Sequence, residues 1–311
     1  MDTAIRFPTS PKPARASPVK LSRRMSVEQA FEAIVRSCIG HIAANEDGVA
    51  RCRDAESLHQ MRVGLRRLSA ARTLFCDVIR IPKIVEQHVD WLMDQLGPVR
   101  DWDVLADATL TRAIEAMPDE EALFSVQQAV RERLPALHER AAAAVSSSRY
   151  RELVDALSHW IDTRGWREGL AGKARMRLKL PVENYACALL AKENERLLRR
   201  GKKLKDADAG ARHRVRIAAK RVRYAAEFFA SLFPDKRVRP YVRALRRLQD
   251  ELGWLNDAAV ARQLLDELDQ AGDSVGEGRA LLRGYLAAAS EGSERRIRRP
   301  WKNFALMRPP H

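Results

Sequence analysis

From Ser26 almost to the end of the chain, apolar residues recur at the spacing of amphipathic α-helices. Ser26 is a good N-cap residue, and Val27, Phe31, Ile34 and Ile42 begin the first apolar stripe. No stretch alternates β-branched or aromatic residues between hairpin turns, so we predict an all-α fold of helices packed on helices. A loop is expected around 165–181. The helices predicted after the first are 55–80, 82–97, 101–117, 119–146, 149–164, 182–204, 208–233, 236–254, 256–271 and 277–292.

An internal repeat is the most informative feature of this pattern. The segment His59–Leu68 recurs as His213–Val222 at an offset of 154 residues, with Phe75 then aligned to Phe229. Some thirty residues later, Leu96–Val104 matches Leu252–Val260 at an offset of 156. Two matched blocks in the same order indicate two copies of one helical unit, about 26–165 and 182–300. We expect two facing bundles related by a pseudo-twofold axis.

Each copy of the first block carries a basic row between two apolar stripes. On a helical wheel, Arg62 and Arg66 lie beside His59. One stripe contains Met61, Leu65, Leu68 and Phe75, and the other contains Val63, Ala70 and Leu74. The second copy repeats the arrangement with His213, Arg216 and Lys220 in the row, Val215, Ala219, Val222 and Phe229 in one stripe, and Ile217, Tyr224 and Phe228 in the other. Apolar residues on both sides of a basic row indicate a partly desolvated groove between helices.

The overall charge is strongly basic. The 311 residues include 56 Lys and Arg against 41 Asp and Glu, giving a net charge of +15. The excess is segregated, because residues 196–223 hold twelve bases and two acids, whereas 101–121 hold seven acids and one base. Such segregation creates a strong positive field on one surface and favours polyanionic partners.

Composition also excludes several classes. No apolar window is long enough for a transmembrane helix, and 46% hydrophobic residues argue against a wholly disordered chain. The four cysteines show no CxxC spacing, which favours free thiols in a reducing cytoplasm. Residues 1–25 contain four prolines, six bases and one acid, and we expect them to form a disordered basic arm.

Several residues near these blocks have simpler explanations. Asp101 and Asp257 are expected to hold an Arg or His in place or to cap a helix, and Gly97 and Gly253 to allow close approach or a tight turn at a helix junction. Lysines near the C-terminal end of a predicted helix interact favourably with the helix dipole. Arg243, Arg246 and Arg247 occur only in the second copy, so a binding role and a solvated face are both open for them.

Taken together, the two His-x-x-Arg blocks and the two Leu-Gly-x-x-(Arg/Asn)-Asp-x-x-Val blocks resemble a CHAD domain, the conserved histidine α-helical domain. The resemblance covers about residues 26–300 and leaves 301–311 as a C-terminal tail. It implies two antiparallel four-helix bundles with pseudo-twofold symmetry. It also implies binding of inorganic polyphosphate on a central basic surface and localisation to polyphosphate granules.

Carried over onto this chain, the resemblance implies a binding site made of both repeated helices. The implied contacts are His59, Arg62, Arg66, Arg67, His213, Arg216, Lys220, Arg221 and Arg223. We add the three arginines left open above, Arg243, Arg246 and Arg247, as further candidate contacts. The chain departs from the family pattern at Ser69, where the second copy has Arg223, so a contact from Ser69 is in doubt.

Polyphosphate also suits the residues on physical grounds. The planar fork of arginine donates paired hydrogen bonds to phosphate oxygens, and two facing basic rows would clasp a thin chain. Affinity would come largely from counterion release, and a histidine would add charge below about pH 6.5. We therefore expect a non-catalytic cytoplasmic binding protein with no cofactor and no metal site.

Two alternatives compete with this prediction. The same charge would bind DNA or RNA, at least non-specifically in vitro, although aromatic residues are few and no helix-turn-helix, RNP or zinc signature is found. His59 or His213 could instead serve phosphotransfer or phosphohydrolysis. Both lie in Arg-rich helices without a second metal-ligating histidine at i+3 or i+4, which suits phosphate more than a metal ion.

Overall fold

The computed structural model of the chain describes residues 12–202, 204, 207–270 and 275–311, and helices hold most of them. No strand is present in these segments, so the predicted all-α class is confirmed there. The expected loop contains the 3₁₀ turn Gly165–Arg167 and a short helix, Gly172–Leu178. The helices are α1 Val27–Ala43, α2 Glu46–Ala50, α3 Ala55–Leu74, α4 Lys83–Val104, α5 Leu110–Ala116, α6 Ala122–Val145, α7 Ser148–Asp162, α8 Gly172–Leu178, α9 Val182–Gly201, α10 Ala209–Phe228, α11 Asp235–Gln270, α12 Gly276–Arg296 and α13 Arg298–Ala305.

The two helices that carry the repeated basic row have the same local structure. Both α3 and α10 are 20 residues long and begin after an aspartate cap, Asp54 or Asp208, which accepts a hydrogen bond from a backbone N–H of the first turn. Both end at a phenylalanine, and the ring centroids of Phe75 and Phe229 lie 6.0 Å apart. Aligned residues of the two copies therefore meet, as residues beside a twofold axis would. The axis itself remains a prediction.

The helix junctions predicted at Gly97 and Gly253 are wrong. Helix α4 continues through Gly97 to Val104 before a five-residue π-helical turn, and α11 runs through Gly253 as one helix of 36 residues. A Cβ at Gly97 would lie 3.1 Å from Nη1 of Arg62, so close approach is confirmed there, but no atom of the described residues lies within 4 Å of a Cβ at Gly253. Packing along both helices outweighs the roughly 1 kcal/mol that a helical glycine costs.

Two hydrophobic cores hold the helices together, and each uses residues from both halves of the chain. The larger core combines α1, α3 and α7 with α9, α10 and the first part of α11. The second core combines the end of α4, α5 and the start of α6 with the later part of α11 and α12. The two repeat halves therefore share both cores, and the long helices α4 and α11 connect them.

The predicted disorder of the N-terminal arm is wrong for residues 12–25, whereas 1–11 lie outside the described residues. Val19 and Leu21 are buried in the larger core. The backbone N–H of Leu21 donates to Oγ of Ser231 at 2.8 Å, and the Ala14 N–H donates to Oδ1 of Asn45 at 3.0 Å. Prolines prevent a helix here, but the extended segment obtains its hydrogen bonds from side chains of the domain instead.

The tail predicted at 301–311 also belongs to the folded domain. Its first residues form part of α13, and Phe304 is fully buried in the larger core. The Phe304 ring packs 5.5 Å from that of Tyr241, between centroids. The apolar positions in this short helix are few, which is why the sequence pattern alone did not reveal it.

Candidate functional site

The two basic rows meet where α3 packs beside α10. Their apolar stripes are buried, with Val63 and Ile217 half-buried, and this orients the basic side chains into the space between the helices. Arg66 is central, because its charge repels the charges of Arg62, Arg216 and Lys220. Arg100 of α4 adds a fifth cation, whose charge also repels that of Arg62. These five side chains are called the central cluster below.

The central cluster is partly desolvated, as the apolar flanks predicted. All five side chains are half-buried. Burial, with repulsion from Arg66, lowers the pKa of Arg62 to about 10. Burial, with repulsion from Arg216 and Arg66, lowers the pKa of Lys220 to about 7. The fold therefore holds Arg62 and Lys220 where their charged forms are disfavoured, because burial removes part of their water and the charges beside them are mostly positive.

No close carboxylate neutralises the facing pairs. In the described residues, Arg62, Arg66, Arg216 and Lys220 form no ion pair within 4.0 Å. One guanidinium nitrogen of Arg62 donates to the Met93 carbonyl at 3.3 Å, and Nε of Arg66 is buried without a partner. Uncompensated buried cations are costly, so the arrangement is suited to an anion from outside the chain.

Two aligned carboxylates, Asp101 and Asp257, share the space with the cluster. Burial raises the pKa of Asp101, with Arg62 opposing and Asp257 adding to the rise. The charge of Asp257 also opposes part of the lowering of the Arg216 and Lys220 pKa values that burial causes. Both aspartates lie inside helices, so the expected capping role is wrong. Their negative charges therefore offset part of the positive charge of the cluster without forming an ion pair with its facing cations.

The two histidines are not equivalent. His59 is half-buried, and burial together with the charges of Arg100 and Arg66 lowers its pKa to about 4. Between about pH 6.5 and pH 4 it therefore stays neutral, and the gain of charge expected just below pH 6.5 is wrong for this residue. His213 is exposed in the first turns of α10 and does not join the central cluster.

Arg100 was not among the predicted site residues. It lies in the second repeated block, where the other copy has Asn256. Its nearest carboxylate is Asp103 at 3.9 Å, and Asp103 in turn hydrogen-bonds Nε2 of His138 at 2.8 Å. Its position as a cation inside a repeated motif could have marked Arg100 as a candidate. That its side chain reaches the site follows only from the packing of α4 against α3.

Comparison with known proteins agrees with this arrangement. The model of the CHAD domain family matches residues 33–266. The chain belongs to the CHAD domain family. The crystal structure of the CHAD domain from the plant Ricinus communis is similar, with 35% sequence identity and a TM-score of 0.85 over 96% of this chain and 98% of that one. No curated protein matches the chain.

Within this CHAD domain, the remaining predicted site residues are not members of the central cluster, although Arg223 borders it and its charge adds to the lowering of the Lys220 pKa. Arg223 donates to Gln249 at 2.7 Å and to Glu227 at 3.0 Å; burial acts to lower its pKa, but Glu227 and Tyr224 raise it overall. Arg221 is half-buried, and its charge repels that of Arg200 in α9. The others are buried Arg67, on a different side of α3, and exposed Arg243, Arg246 and Arg247 along α11.

The described part of this CHAD domain has neither a membrane-spanning helix nor a cluster of metal-ligating side chains. No helix there is both long and apolar enough to cross a membrane. No three or more His, Cys, Asp or Glu side chains in those residues lie close enough together to hold a metal ion.

Proposed function

We propose that this CHAD domain binds inorganic polyphosphate in the central cluster and does not turn it over. The observation that carries the proposal is the set of aligned cations, Arg62 and Arg66 against Arg216 and Lys220, which are partly desolvated and have no ion pair with any described residue. Binding on polyphosphate granules in the cytoplasm follows as part of the same proposal.

The geometry favours a thin, uniformly charged chain. Cations from two helices face one another, so phosphates in the space between them would contact both rows. Arginine binds phosphate oxygens through paired hydrogen bonds, and an added anion would offset the repulsion centred on Arg66. A duplex offers its charges only on the outside of a wide rod, and the cluster includes no aromatic side chain on which single-stranded bases would stack. The CHAD resemblance implies the same ligand.

The test is a comparison of affinities on the full chain. Fluorescently labelled long-chain polyphosphate is titrated at about 150 mM salt, with unlabelled duplex DNA of equal charge as competitor. We expect polyphosphate to bind more tightly. Replacing Arg62, Arg66, Arg216 and Lys220 by Ala is expected to weaken binding at least tenfold and to flatten the plot of log K against log salt by about three, since each lost phosphate contact removes roughly 0.7.

A matched control removes the same charge elsewhere. Arg140, Arg151, Arg175 and Lys179 are exposed on other helices and loops, and their Ala variant should keep most of the affinity. Equal losses in both variants, or equal binding of DNA, would show a generally basic surface instead of a site. Release of phosphate by the wild type that is lost in His59→Ala would replace the non-catalytic proposal with an enzyme.

A further inference from the structure

A second feature, separate from the central cluster, is a cavity of about 630 Å³. It lies between the middle of α3, the end of α10, the start of α11 and residues 16–19 of the N-terminal arm. Its apolar lining includes Val63, Tyr224, Val238 and Val242. The volume is in the range of sites that take small organic ligands.

Arg67 supplies a buried charge at this cavity. Only 8% of the residue is exposed, and its Nε has no hydrogen-bond partner among the described residues. In the described part of the chain it forms no ion pair, and its nearest compensation is the Phe228 ring, whose centroid lies 5.4 Å from Cζ. It also contacts the Cys38 thiol, whose pKa burial raises to about 11, so that neighbour is neutral. A cation–π contact of this kind offsets only part of the cost of burial.

The other cations at the cavity differ in how far they are already paired. Arg223 and Arg246 both bind Glu227, and Arg239 binds Asp235 at 2.7 Å. Arg243 is exposed at the mouth and has no ion pair among the described residues. Arg67 inside and Arg243 at the mouth are therefore the two charges left for a ligand.

The part of the cavity that α10 and α11 line is specific to the second copy. The first-copy positions aligned with Arg223, Tyr224 and Glu227 are Ser69, Ala70 and Thr73, and those aligned with Arg243 and Arg246 are Gln87 and Asp90. The space beside Ser69 amounts to only about 10 Å³. The cavity is thus outside the symmetric arrangement of the central cluster.

We propose that this cavity binds a small organic phosphate with one aromatic ring system, of the class of nucleoside monophosphates. The phosphate would bind Arg67 and Arg243, and the ring would pack against Tyr224 and Val242. The apolar lining is what distinguishes this ligand from polyphosphate, which has no apolar part to bury. The proposal does not depend on the central cluster.

The test uses isothermal titration of the full chain with adenosine monophosphate, adenosine and inorganic phosphate. We expect adenosine monophosphate to bind below about 1 mM and both fragments to bind at least tenfold more weakly, because each lacks one half of the recognition. Arg243→Glu, at an exposed and unpaired position, is expected to weaken binding at least tenfold without loss of folding. Val242→Trp, which fills the cavity, is expected to abolish it.

The controls separate the two sites. The Ala variant of Arg62, Arg66, Arg216 and Lys220 should keep adenosine monophosphate binding while losing polyphosphate. No binding of adenosine monophosphate up to about 1 mM, equal binding of inorganic phosphate, or an unchanged affinity in Arg243→Glu would each overturn the cavity proposal and leave the polyphosphate proposal standing.

Discussion

Lys220 is the residue in the central cluster whose charge is most sensitive to its surroundings. Arg216, Arg66, Arg223 and Asp257 face it, and burial together with repulsion from the first two brings its pKa to about 7. Free protein at pH 8 therefore holds this lysine mostly neutral. An anion bound beside it would favour the protonated form, so binding above pH 7 should be accompanied by uptake of a proton.

We accordingly predict that polyphosphate affinity rises as the pH falls from about 9 to 7 and then levels off. The increase is bounded by tenfold per pH unit, the value for one full proton. Lys220→Arg keeps the charge throughout this range and should flatten the profile. Titrations at constant ionic strength check the profile, and calorimetry in buffers of different ionisation enthalpy counts the protons. An identical slope in the wild type and in Lys220→Arg would contradict the assignment.

His59 and His213 show the limit of prediction at this scale. The repeat aligned them, and the alignment predicted equal roles. In the structure one is half-buried beside Arg100 and the other is exposed. Helical periodicity assigns a residue to a face of its own helix, but it carries no information on which other helices cover that face.

At the scale of helices, short elements carry more of the packing than their patterns indicate. In α13, the fully buried Phe304 ring lies 5.5 Å from the Tyr241 ring of α11 and 6.3 Å from the Trp301 ring, between centroids. We predict that Phe304→Ala lowers the free energy of unfolding by about 3–5 kcal/mol, since it removes a buried ring and leaves a cavity. Urea denaturation measures the change.

Leu306 provides the matched control for that substitution. It follows the same helix but is 86% exposed, so Leu306→Ala should change stability by no more than about 0.5 kcal/mol. Equal small effects at both positions would mean that the segment after residue 300 is a tail, as the sequence alone predicted.

The same scale shows what the sequence determines well. Periodicity placed the starts of α3 and α10 within one residue, because apolar stripes are a local signal, but the predicted ends at 80 and 233 lie beyond the observed ends at Leu74 and Phe228. Gly97 and Gly253 misled, because a glycine signals a junction only when packing does not support the helix through it. Arg100 was missed for a related reason, since its place in the site depends on contact between helices.

On the whole-molecule scale, the charge is arranged along the long axis of α11. This helix of 36 residues spans about 54 Å at 1.5 Å per residue. Residues 236–247 hold six bases and no acid, whereas 250–277 hold eight acids and one base. The net charge of +15 therefore understates the field near the larger core, and the acidic helices around the second core would repel a polyanion from that end.

A site built from repelling cations should lower the stability of the free protein as a whole. We predict that Lys220→Met, which removes one half-buried charge at similar volume, raises the free energy of unfolding by about 1–4 kcal/mol at pH 7. The gain should shrink as the pH rises toward 10, because the unfolded lysine, with its ordinary pKa of 10.5, then binds fewer protons and the wild type recovers. Urea denaturation across this pH range measures it.

Bound polyphosphate should have the opposite effect on the stability of the wild type, because it supplies the missing negative charge. Polyphosphate at about 100 times its Kd should stabilise the wild type by about 2.7 kcal/mol, because it binds only the folded state. Lys220→Met should start from a higher thermal midpoint and gain less at the same polyphosphate concentration, since its affinity is lower. A variant that is less stable than the wild type while gaining as much from polyphosphate would contradict the trade-off, because the cluster would then support the fold instead of straining it.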